Sequence, residues 1–254
     1  MLKRCAAFLF LVFAAFAAVR AEEKTYDFAS LPAEEFLRCV RRAPSGETWA
    51  LMSGTATHRR SGARAIQDSI RIGMRFTPQR ILAQLTFAGN EQYELGQTFT
   101  EPPVFTQEVR APDPEKTRLS LYGVAASDLT LGFLYRKLIR EEKPDSVKTV
   151  SCRVFLLDGG NDDYVRVWIS DEYLFPLKAH WFKTLPEESG GEPYRELELG
   201  GFRKENDYYV VKELLLFGPD WRTRIEFDRT DAGSASEKAP ADLFLDEPDA
   251  GGAS

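Results

Sequence analysis

The two histidines of the sequence, His58 and His180, are the side chains best suited to activate a nucleophile or to bind a transition metal. His58 lies in a polar stretch that predicts a turn, and His180 alternates with Lys178 and Phe182 on a predicted strand. Both settings are typical of solvated or half-buried structural histidines. The sequence contains no H-E-x-x-H, C-x-x-C, G-x-S-x-G, G-x-G-x-x-G or P-loop motif. It therefore predicts no catalytic residue, no metal site and no cofactor.

Carboxylates are the second group of side chains that could be catalytic, because they can act as general acids or bases without a histidine. Asp162 and Asp163 are adjacent, but they end the stretch Asp158–Asp163, whose Asp, Gly and Asn content is typical of a turn. A pair of carboxylates that hydrolyses glycosides must lie at a defined separation in space, which the sequence does not specify. We therefore expect a protein that is not an enzyme.

The N-terminal residues indicate where the protein works. Lys3 and Arg4 precede an apolar run, Cys5–Val19, and a Val-x-Ala sequence ending at Ala21 supplies the small residues that a signal peptidase reads. The run is short for a membrane span, and the sequence contains no second run of that kind. We predict a secretory signal peptide over residues 1–21 and a mature protein that is soluble beyond the inner membrane. A retained membrane anchor is the alternative.

Two cysteines, Cys39 and Cys152, remain after the predicted signal peptide. In an oxidising compartment they could form a disulfide, and the chain-entropy model values so long a loop at about 4–5 kcal/mol. The alternative is two separate buried thiols, because the sequence does not show whether their Cα atoms come within bridging distance.

Composition bounds the partners and the domain count. The chain has 33 basic and 39 acidic residues and a net charge of −6, which does not favour nucleic acid or anionic lipid headgroups. With 43% apolar residues in the chain, residues 22–230 suit one globular domain. Residues 231–254 are rich in Asp, Ala, Gly and Ser and predict a flexible acidic tail, in which only Leu243, Phe244 and Leu245 could dock.

Two segments have the apolar spacing of helices. Ser30–Arg42 begins with a capping serine and has acidic residues in its first turn. Ser127–Ile139 begins in the same way, and Leu129, Phe133 and Leu134 give it one apolar face. We expect this second helix to be either a movable lid or a permanent part of the core.

Most of the remaining chain has the two-residue period of strands, beginning at Thr48. Two apolar strand faces are especially regular: Ile70, Ile72, Met74 and Phe76, followed by Ile81, Ala83, Leu85 and Phe87. Residues 88–117 contain four prolines and predict loops or short edge pieces. Later strands are predicted at Thr149–Leu157, Tyr164–Ser170, Phe175–Thr184, Tyr194–Phe202, Tyr208–Phe217 and Arg222–Asp228. Their turn-rich connections predict a meander in which neighbours pair in order.

Aromatic side chains are abundant, with 18 Phe, nine Tyr and four Trp. They could fill an ordinary β core. Because only two predicted helices accompany many strands, they could also line the concave side of an incompletely closed sheet that a helix covers. Such a half-barrel with an apolar inner face would be a site for an acyl chain.

Four stretches of the second half resemble the outer membrane lipoprotein-sorting family. Gly123–Tyr135 is similar to its S-D-L-x-x-x-F-L segment, and Tyr164–Lys178 is similar to its V-x-x-W-I-D…x-P-L-K/R pair of strands. Leu197–Lys212 is similar to a strand and turn of the family, with Asn-Asp-Tyr in place of its usual Gly-x-Trp. Thr223–Phe227 resembles its closing T-x-x-x-F strand, and the order and spacing of all four stretches agree with the family.

The resemblance implies an α+β, mostly β fold: a curved antiparallel, incompletely closed β half-barrel with a helical lid, called LolA-like. It implies a periplasmic carrier for the acyl chains of lipoproteins or lipids, with an inner-membrane releasing complex and an outer-membrane acceptor as partners. A non-catalytic periplasmic sensor or protein-interaction module on the same fold is the alternative. The family's carrier has an arginine that helps to gate its cavity, and Arg75 and Arg80 lie in the comparable region.

The residues that we expect to line the cavity come from the apolar strand faces and from the second predicted helix. Alternation places each strand set on one side of the sheet. The predicted lining residues are Ile70, Ile72, Met74, Phe76, Leu85, Phe87, Leu129, Phe133, Leu134 and Trp168.

Overall fold

The computed structural model describes residues 27–100, 103–160, 163–187, 191–206 and 208–245. The predicted signal peptide and the residues after 245 lie outside this part of the chain. Within it, twelve strands form one antiparallel sheet, accompanied by three short helices and two 3-10 turns. No helix of the described residues is long and apolar enough to cross a membrane.

The strands fall into two halves. The first half consists of β1 (Thr48–Arg60), β2 (Ile66–Phe76), β3 (Arg80–Phe87), β4 (Glu91–Thr98) and β5 (Phe105–Arg110). The second half begins with β6 (Leu138–Val147), β7 (Val150–Gly160), β8 (Asp163–Ser170), β9 (Pro176–Phe182) and β10 (Arg195–Gly200). A separate hairpin of β11 (Arg203–Glu205) and β12 (Tyr208–Val210) follows, and β13 (Glu213–Phe217) and β14 (Trp221–Ser234) complete the second half. The predicted strand Tyr208–Phe217 is thus divided between two sheets.

The order across the large sheet is β5-β4-β3-β2-β1-β14-β13-β10-β9-β8-β7-β6. Neighbours in sequence pair within each half, as the turn-rich connections predict, except that β10 pairs with β13 across the inserted β11–β12 hairpin. β1 pairs with β14 and joins the halves. A register shift between Ser53 and Gly54 marks a bulge in this long pair, and bulges bend and twist the strands that carry them. Among the described strands, β5 and β6 each pair on one side only, so the sheet is not closed.

One face of the sheet, here called the inner face, carries the apolar core. Met52, Ile72, Leu85 and Tyr93 form one row across β1 to β4, and each is fully buried. The residues that alternate with them along each strand point to the opposite, outer face. The two apolar strand faces predicted from the sequence are confirmed.

Helix α1 (Ala33–Val40) packs on the inner face of the second half. Its Phe36 ring stacks on the ring of Phe155 in β7, with centroids 5.5 Å apart. The predicted helix Ser30–Arg42 is confirmed in its central part, but Pro32 occupies the N-cap position in place of the predicted serine.

The predicted helix Ser127–Ile139 is wrong. The chain forms the one-turn helix α3 (Ala126–Leu129), a left-handed residue at Leu131 with φ 53°, and a 3-10 turn over Gly132–Tyr135 before β6 begins. Residues 128–134 are all buried, which a helix with a single apolar face does not allow. The chain therefore breaks into short pieces, and residues 125–135 are here called the covering segment.

Strand β4 lies in a region, residues 88–117, for which the sequence predicts loops or short edge pieces. Its buried positions are Glu91, Tyr93, Leu95 and Gln97. Two of these four side chains are polar, so the two-residue hydrophobic period is lost. The Glu91 carboxylate is buried because it caps the helix α2 (Arg118–Leu121), accepting the backbone N–H of Arg118 at 2.6 Å.

The C-terminal boundary also differs from the prediction. β14 continues to Ser234, and residues 235–245, here called the C-terminal strap, pack on the outer face of the first half. The predicted flexible tail from residue 231 is therefore wrong for residues 231–245.

Leucine 243 anchors the C-terminal strap. Leu243 packs against Trp49 and Leu51 of β1, which point to the outer face. Its carbonyl oxygen would lie 1.8 Å from a Cβ at Gly73, so only glycine in β2 lets the strap approach the sheet. Farther along, the side-chain amide of Gln84 bonds the backbone of Leu245 in both directions.

The two cysteines are separate free thiols, with Cys39 partly exposed and Cys152 buried. Burial raises the pKa of the Cys152 thiol to about 11. Of the two alternatives that the sequence leaves open, the structure shows two thiols and no disulfide.

Candidate ligand-binding site

The predicted lining residues occupy two different places. Nine of them belong to the packed core between the inner face and the covering segment: Ile70, Ile72, Met74, Phe76, Leu85, Phe87, Leu129, Phe133 and Leu134. Each of the nine is buried. They fill space, and of the nine only Phe133 also borders the open pocket described below.

Trp168 is placed wrongly by the sequence prediction. It alternates along β8 with Val165 and Val167, which face the core, and it pairs in register with Val154 and Lys178. Trp168 therefore points to the outer face, where neighbouring long side chains bury it. Alternation alone does not reveal which face of a strand is inner when both faces carry large apolar residues.

A pocket of about 360 Å³ opens where the sheet fails to close. It lies between the edge strand β5, the covering segment and the strands β7 to β10. Its apolar walls are Leu95, Phe105, Phe133, Val165 and Trp181. The rings of Phe133 and Trp181 meet edge to face with centroids 5.4 Å apart. The Phe105 ring lies against Gly132, so the edge strand and the covering segment touch at the mouth of the pocket.

A buried ion pair forms the polar wall of the pocket. The guanidinium of Arg195 donates a short hydrogen bond to the Asp128 carboxylate and a second one, at 3.0 Å, to the carbonyl oxygen of Gly123. The same guanidinium lies 4.2 Å from the centroid of the Trp181 ring. Asp128 also accepts the backbone N–H of Ala125 at 2.8 Å. This pair ties the covering segment to β10 and leaves its polar groups satisfied.

The rim of the pocket is polar and more exposed. The Tyr194 hydroxyl donates to one oxygen of Asp163 at 2.9 Å, and the Lys183 ammonium donates to the other at 2.8 Å. Burial, with a contribution from Asp163, raises the pKa of Tyr194. Asp163 is the first residue of β8 and is engaged in these bonds, and Asp162 lies outside the described residues.

Neither histidine lines the pocket. His58, predicted in a polar turn, is buried in β1, and burial lowers its pKa. Its Nδ1 lies 2.9 Å from the Thr223 hydroxyl, which itself donates to the carbonyl of Tyr122, so the imidazole is the donor to Thr223. His180 lies on the outer face beside Trp168. Among the described residues, no three His, Cys, Asp or Glu side chains come together as a metal site.

The two arginines compared with a gating arginine also lie away from the pocket. Arg75 and Arg80 alternate with Met74 and Ile81 and therefore point to the outer face. Arg75 lies 3.4 Å from a carboxylate oxygen of Glu47 and 5.6 Å from the ring centroid of Phe244 in the C-terminal strap.

Sequence reasoning missed a polar residue beside the pocket. Gln97 occupies an inner-face position of β4, next to Leu95, and is 1% exposed. The only sequence signal for it is a polar residue in phase with Leu95 and Tyr93, and this signal becomes readable once β4 is recognised as a strand.

No protein-family model and no curated protein matches the chain. Solved structures do match. A domain from Vibrio parahaemolyticus, whose proposed identity is an outer membrane lipoprotein-sorting protein, has a TM-score of 0.62 at 11% identity. The match covers 84% of this chain and 97% of that domain.

Two further bacterial structures are similar. A DUF1329 family protein from Desulfovibrio piger has a TM-score of 0.60 at 11% identity, with 83% of this chain and 95% of that chain covered. A LolA superfamily protein from Nitrosomonas europaea has a TM-score of 0.51 at 12% identity, with 85% and 99% covered. The curved, unclosed antiparallel sheet is thus a LolA-like fold, as the resemblance implies.

Proposed function

We propose that this protein is a periplasmic carrier that binds the acyl chains of lipoproteins or lipids and delivers them toward the outer membrane. The observation that carries the proposal is the pocket between the edge strand β5 and the covering segment, which opens directly beside the apolar core. Export rests on the predicted signal peptide, residues 1–21. The carrier needs no catalytic group, and the pocket offers apolar side chains, the Asp128–Arg195 pair and uncharged polar residues such as Ser127 and Thr130.

Phe133 is the part of the covering segment that suits a change of position when a chain is bound. The backbone on either side is held by Arg195, which binds Asp128, and by Arg41, which donates to the carbonyl oxygen of Leu134 at 2.7 Å, so the Phe133 ring would turn while the segment stays in place. Displacing Phe133 from Trp181 would join the pocket to the core. Each Å² of acyl surface buried there would contribute about 25 cal/mol, less the cost of ordering the ligand.

A second candidate, a sensor or protein-interaction module, is favoured by the free edge of β5. The backbone N–H of Thr98 bonds the carbonyl of Val104, so alternation turns the backbone groups of Phe105, Gln107 and Val109 away from β4. This edge has no bulge, and Phe105 and Val104 are 40% and 57% exposed. Such an edge can accept an extended peptide as an added strand.

A pocket-filling substitution tests the carrier proposal. Ser127 is exposed and borders the pocket, so Ser127→Trp should place an indole in the pocket without disturbing the core. We expect it to weaken binding of a fluorescent fatty-acyl probe by about tenfold or more. The matched control is Leu121→Trp, at a residue that is 60% exposed on α2 and does not line the pocket, and it should leave probe affinity unchanged. Equal affinity in both folded variants would move the acyl site elsewhere.

Native mass spectrometry separates the two candidates. Protein purified from its own cells should carry co-purified lipid or acylated protein if it is a carrier. Protein that is empty, and remains empty when acyl lipid is offered, would contradict the carrier and favour the sensor.

A further inference from the structure

The side chain of Gln97 is buried without a polar partner. It is 1% exposed, and among the residues that the structure describes no group accepts from its Nε2 or donates to its Oε1. Gln84, on the neighbouring strand, is almost as buried at 3%, but its amide bonds the backbone of Leu245 at 2.6 and 2.8 Å. The unpaired state of Gln97 is therefore not a general property of buried glutamines in this protein.

The surroundings of Gln97 are apolar and adjoin the pocket. Across the strands, Gln97 pairs in register with Ile81 on one side and with Phe105 on the other. Leu95, two residues earlier, shares its face of β4. Leu95 and Phe105 both line the pocket, so Gln97 lies immediately behind the pocket wall.

A buried amide that makes no hydrogen bond costs folding free energy, whereas an apolar side chain of the same length would fill the position without that cost. The amide offers two N–H donors and a carbonyl acceptor. In an otherwise apolar site, the natural complement is the polar linkage at the head of an acyl chain. A carbonyl oxygen would accept from Nε2, and the N–H of an amide linkage would also donate to Oε1.

We infer that Gln97 is the residue that recognises the linkage of the bound acyl chain. The ligand class is an acyl chain with a carbonyl, held more tightly as an amide than as an ester and least tightly as an alkyl ether. The inference rests on the proposed acyl carrier, and it adds that the carrier recognises the carbonyl linkage as well as the hydrocarbon chain. A free hydrocarbon chain would leave the Gln97 amide unpaired.

The experiment compares three probes that share one saturated chain and one fluorophore and differ only in an amide, ester or ether linkage. For the wild type we expect the amide to bind about tenfold more tightly than the ether, with the ester between them. In Gln97→Met, which keeps the length of the side chain, the three affinities should agree within about twofold. Gln84→Met is the control on the outer face and should preserve the order of affinities.

Stability without ligand is the second readout. Removing an unpaired amide should raise Tm, and we expect Gln97→Met to gain about 2–4 °C, whereas Gln84→Met should lower Tm because it removes satisfied bonds. A Gln97→Met protein that is less stable or unfolded would show that the amide is paired, and would overturn the inference. A folded variant that keeps the order of affinities would also overturn it.

The wild-type result separates this inference from the proposed function. Equal binding of all three probes would leave the acyl carrier intact and refute recognition by Gln97. Failure to bind any probe would refute both.

Discussion

The two halves of the sheet differ in how the polar groups on their inner faces are hydrogen-bonded. In the second half, the Arg153 guanidinium binds both oxygens of Glu141, at 2.7 and 2.8 Å, and the carbonyl of Phe28. Arg195 likewise binds the Asp128 carboxylate and a backbone carbonyl. Both guanidinium groups also lie over aromatic rings. These charges are buried at little net cost because their hydrogen bonds are made.

In the first half, two polar groups of the inner face are left unpaired, whereas Glu91 on the same face is satisfied by capping α2. Gln97 and Thr48 lie in one row across β1 to β4, with Phe76 and Ile81 between them, and neither side chain bonds to a described residue. The satisfied polar groups of the second half hold α1 and the covering segment in place. The unpaired amide of Gln97 has no such structural role, and our inference that it recognises a ligand starts from this difference.

The outer faces differ as well. The first half is covered by the C-terminal strap, whose main contact is apolar, between Leu243 and β1. The second half is covered by its own long side chains: Arg166 binds Glu142 at 2.6 Å, and its guanidinium lies 5.1 Å from the centroid of the Phe182 ring. The first half is therefore sensitive to a loss of apolar contact, and the second half is sensitive to a loss of charge.

The largest effect is expected from breaking the ion pair of the pocket. Asp128→Ala leaves the Arg195 guanidinium buried without its carboxylate, and this should cost about 3–5 kcal/mol in denaturant unfolding. Asp163→Ala, at the exposed rim pair with Lys183, is the control and should cost less than about 1 kcal/mol. The double variant Asp128→Leu, Arg195→Met should recover most of the loss. Similar losses of unfolding free energy in Asp128→Ala and Asp163→Ala would contradict the distinction between a buried structural ion pair in the pocket wall and an exposed pair at its rim.

A smaller effect is expected from the C-terminal strap. Leu243 is 2% exposed, and Leu243→Ala should destabilise the protein by about 2 kcal/mol, at the low end for a buried leucine because its contacts form a small separate cluster. Leu245→Ala, at a residue that is 39% exposed and bound through its backbone, should cost less than about 0.5 kcal/mol. Protease cleavage within the strap of the Leu243 variant alone would confirm the anchor, and equal losses would refute it.

The sequence predicts the strands whose faces differ clearly. β2, β3 and β10 alternate between apolar and polar residues, because one side of each strand contacts the core, and the order of the strands follows from short turns. It fails where tertiary contacts change what a residue can do. Glu91 is buried because it caps a helix that is distant in the sequence, and this hides β4. Residues 128–134 of the covering segment are all buried, and their run of apolar residues resembles the pattern of a helix.

The candidate site is predicted only in part. The sequence finds the apolar inner face and Phe133 but places Trp168 on the wrong face. The pocket itself depends on the gap between β5 and the second half, which are far apart in the sequence and meet only in the folded chain. The ion pair between Asp128 and Arg195 has the same origin, since no local pattern links the two residues.

The smallest effect is expected in the pH dependence of stability that His180 contributes. His180 lies on the outer face of the second half, among its ion-paired side chains. Burial lowers its pKa to about 3, and the charges of Lys178 and Arg166 act in the same direction. The other groups around it are the rings of Trp168 and Phe182 and the carboxylate of Glu196, whose Oε2 lies 2.9 Å from Nε2.

The sign of the pH effect follows from the two states. In the unfolded chain His180 takes up a proton near pH 6.5, whereas in the folded protein it remains neutral to about pH 3. The unfolded state therefore binds more protons between these values, so the contribution of His180 is fully present above pH 6.5 and is lost as the pH falls. Denaturant midpoints at about pH 7.5 and pH 5 should differ less in His180→Gln than in the wild type. Burial also lowers the pKa of His58, so His58 makes a smaller contribution of the same sign, and His58→Gln should reduce the difference less than His180→Gln does. If Glu196 instead held His180 protonated, acidification would stabilise the wild type relative to His180→Gln, and that result would show that this part of the second half is ionic and not neutral.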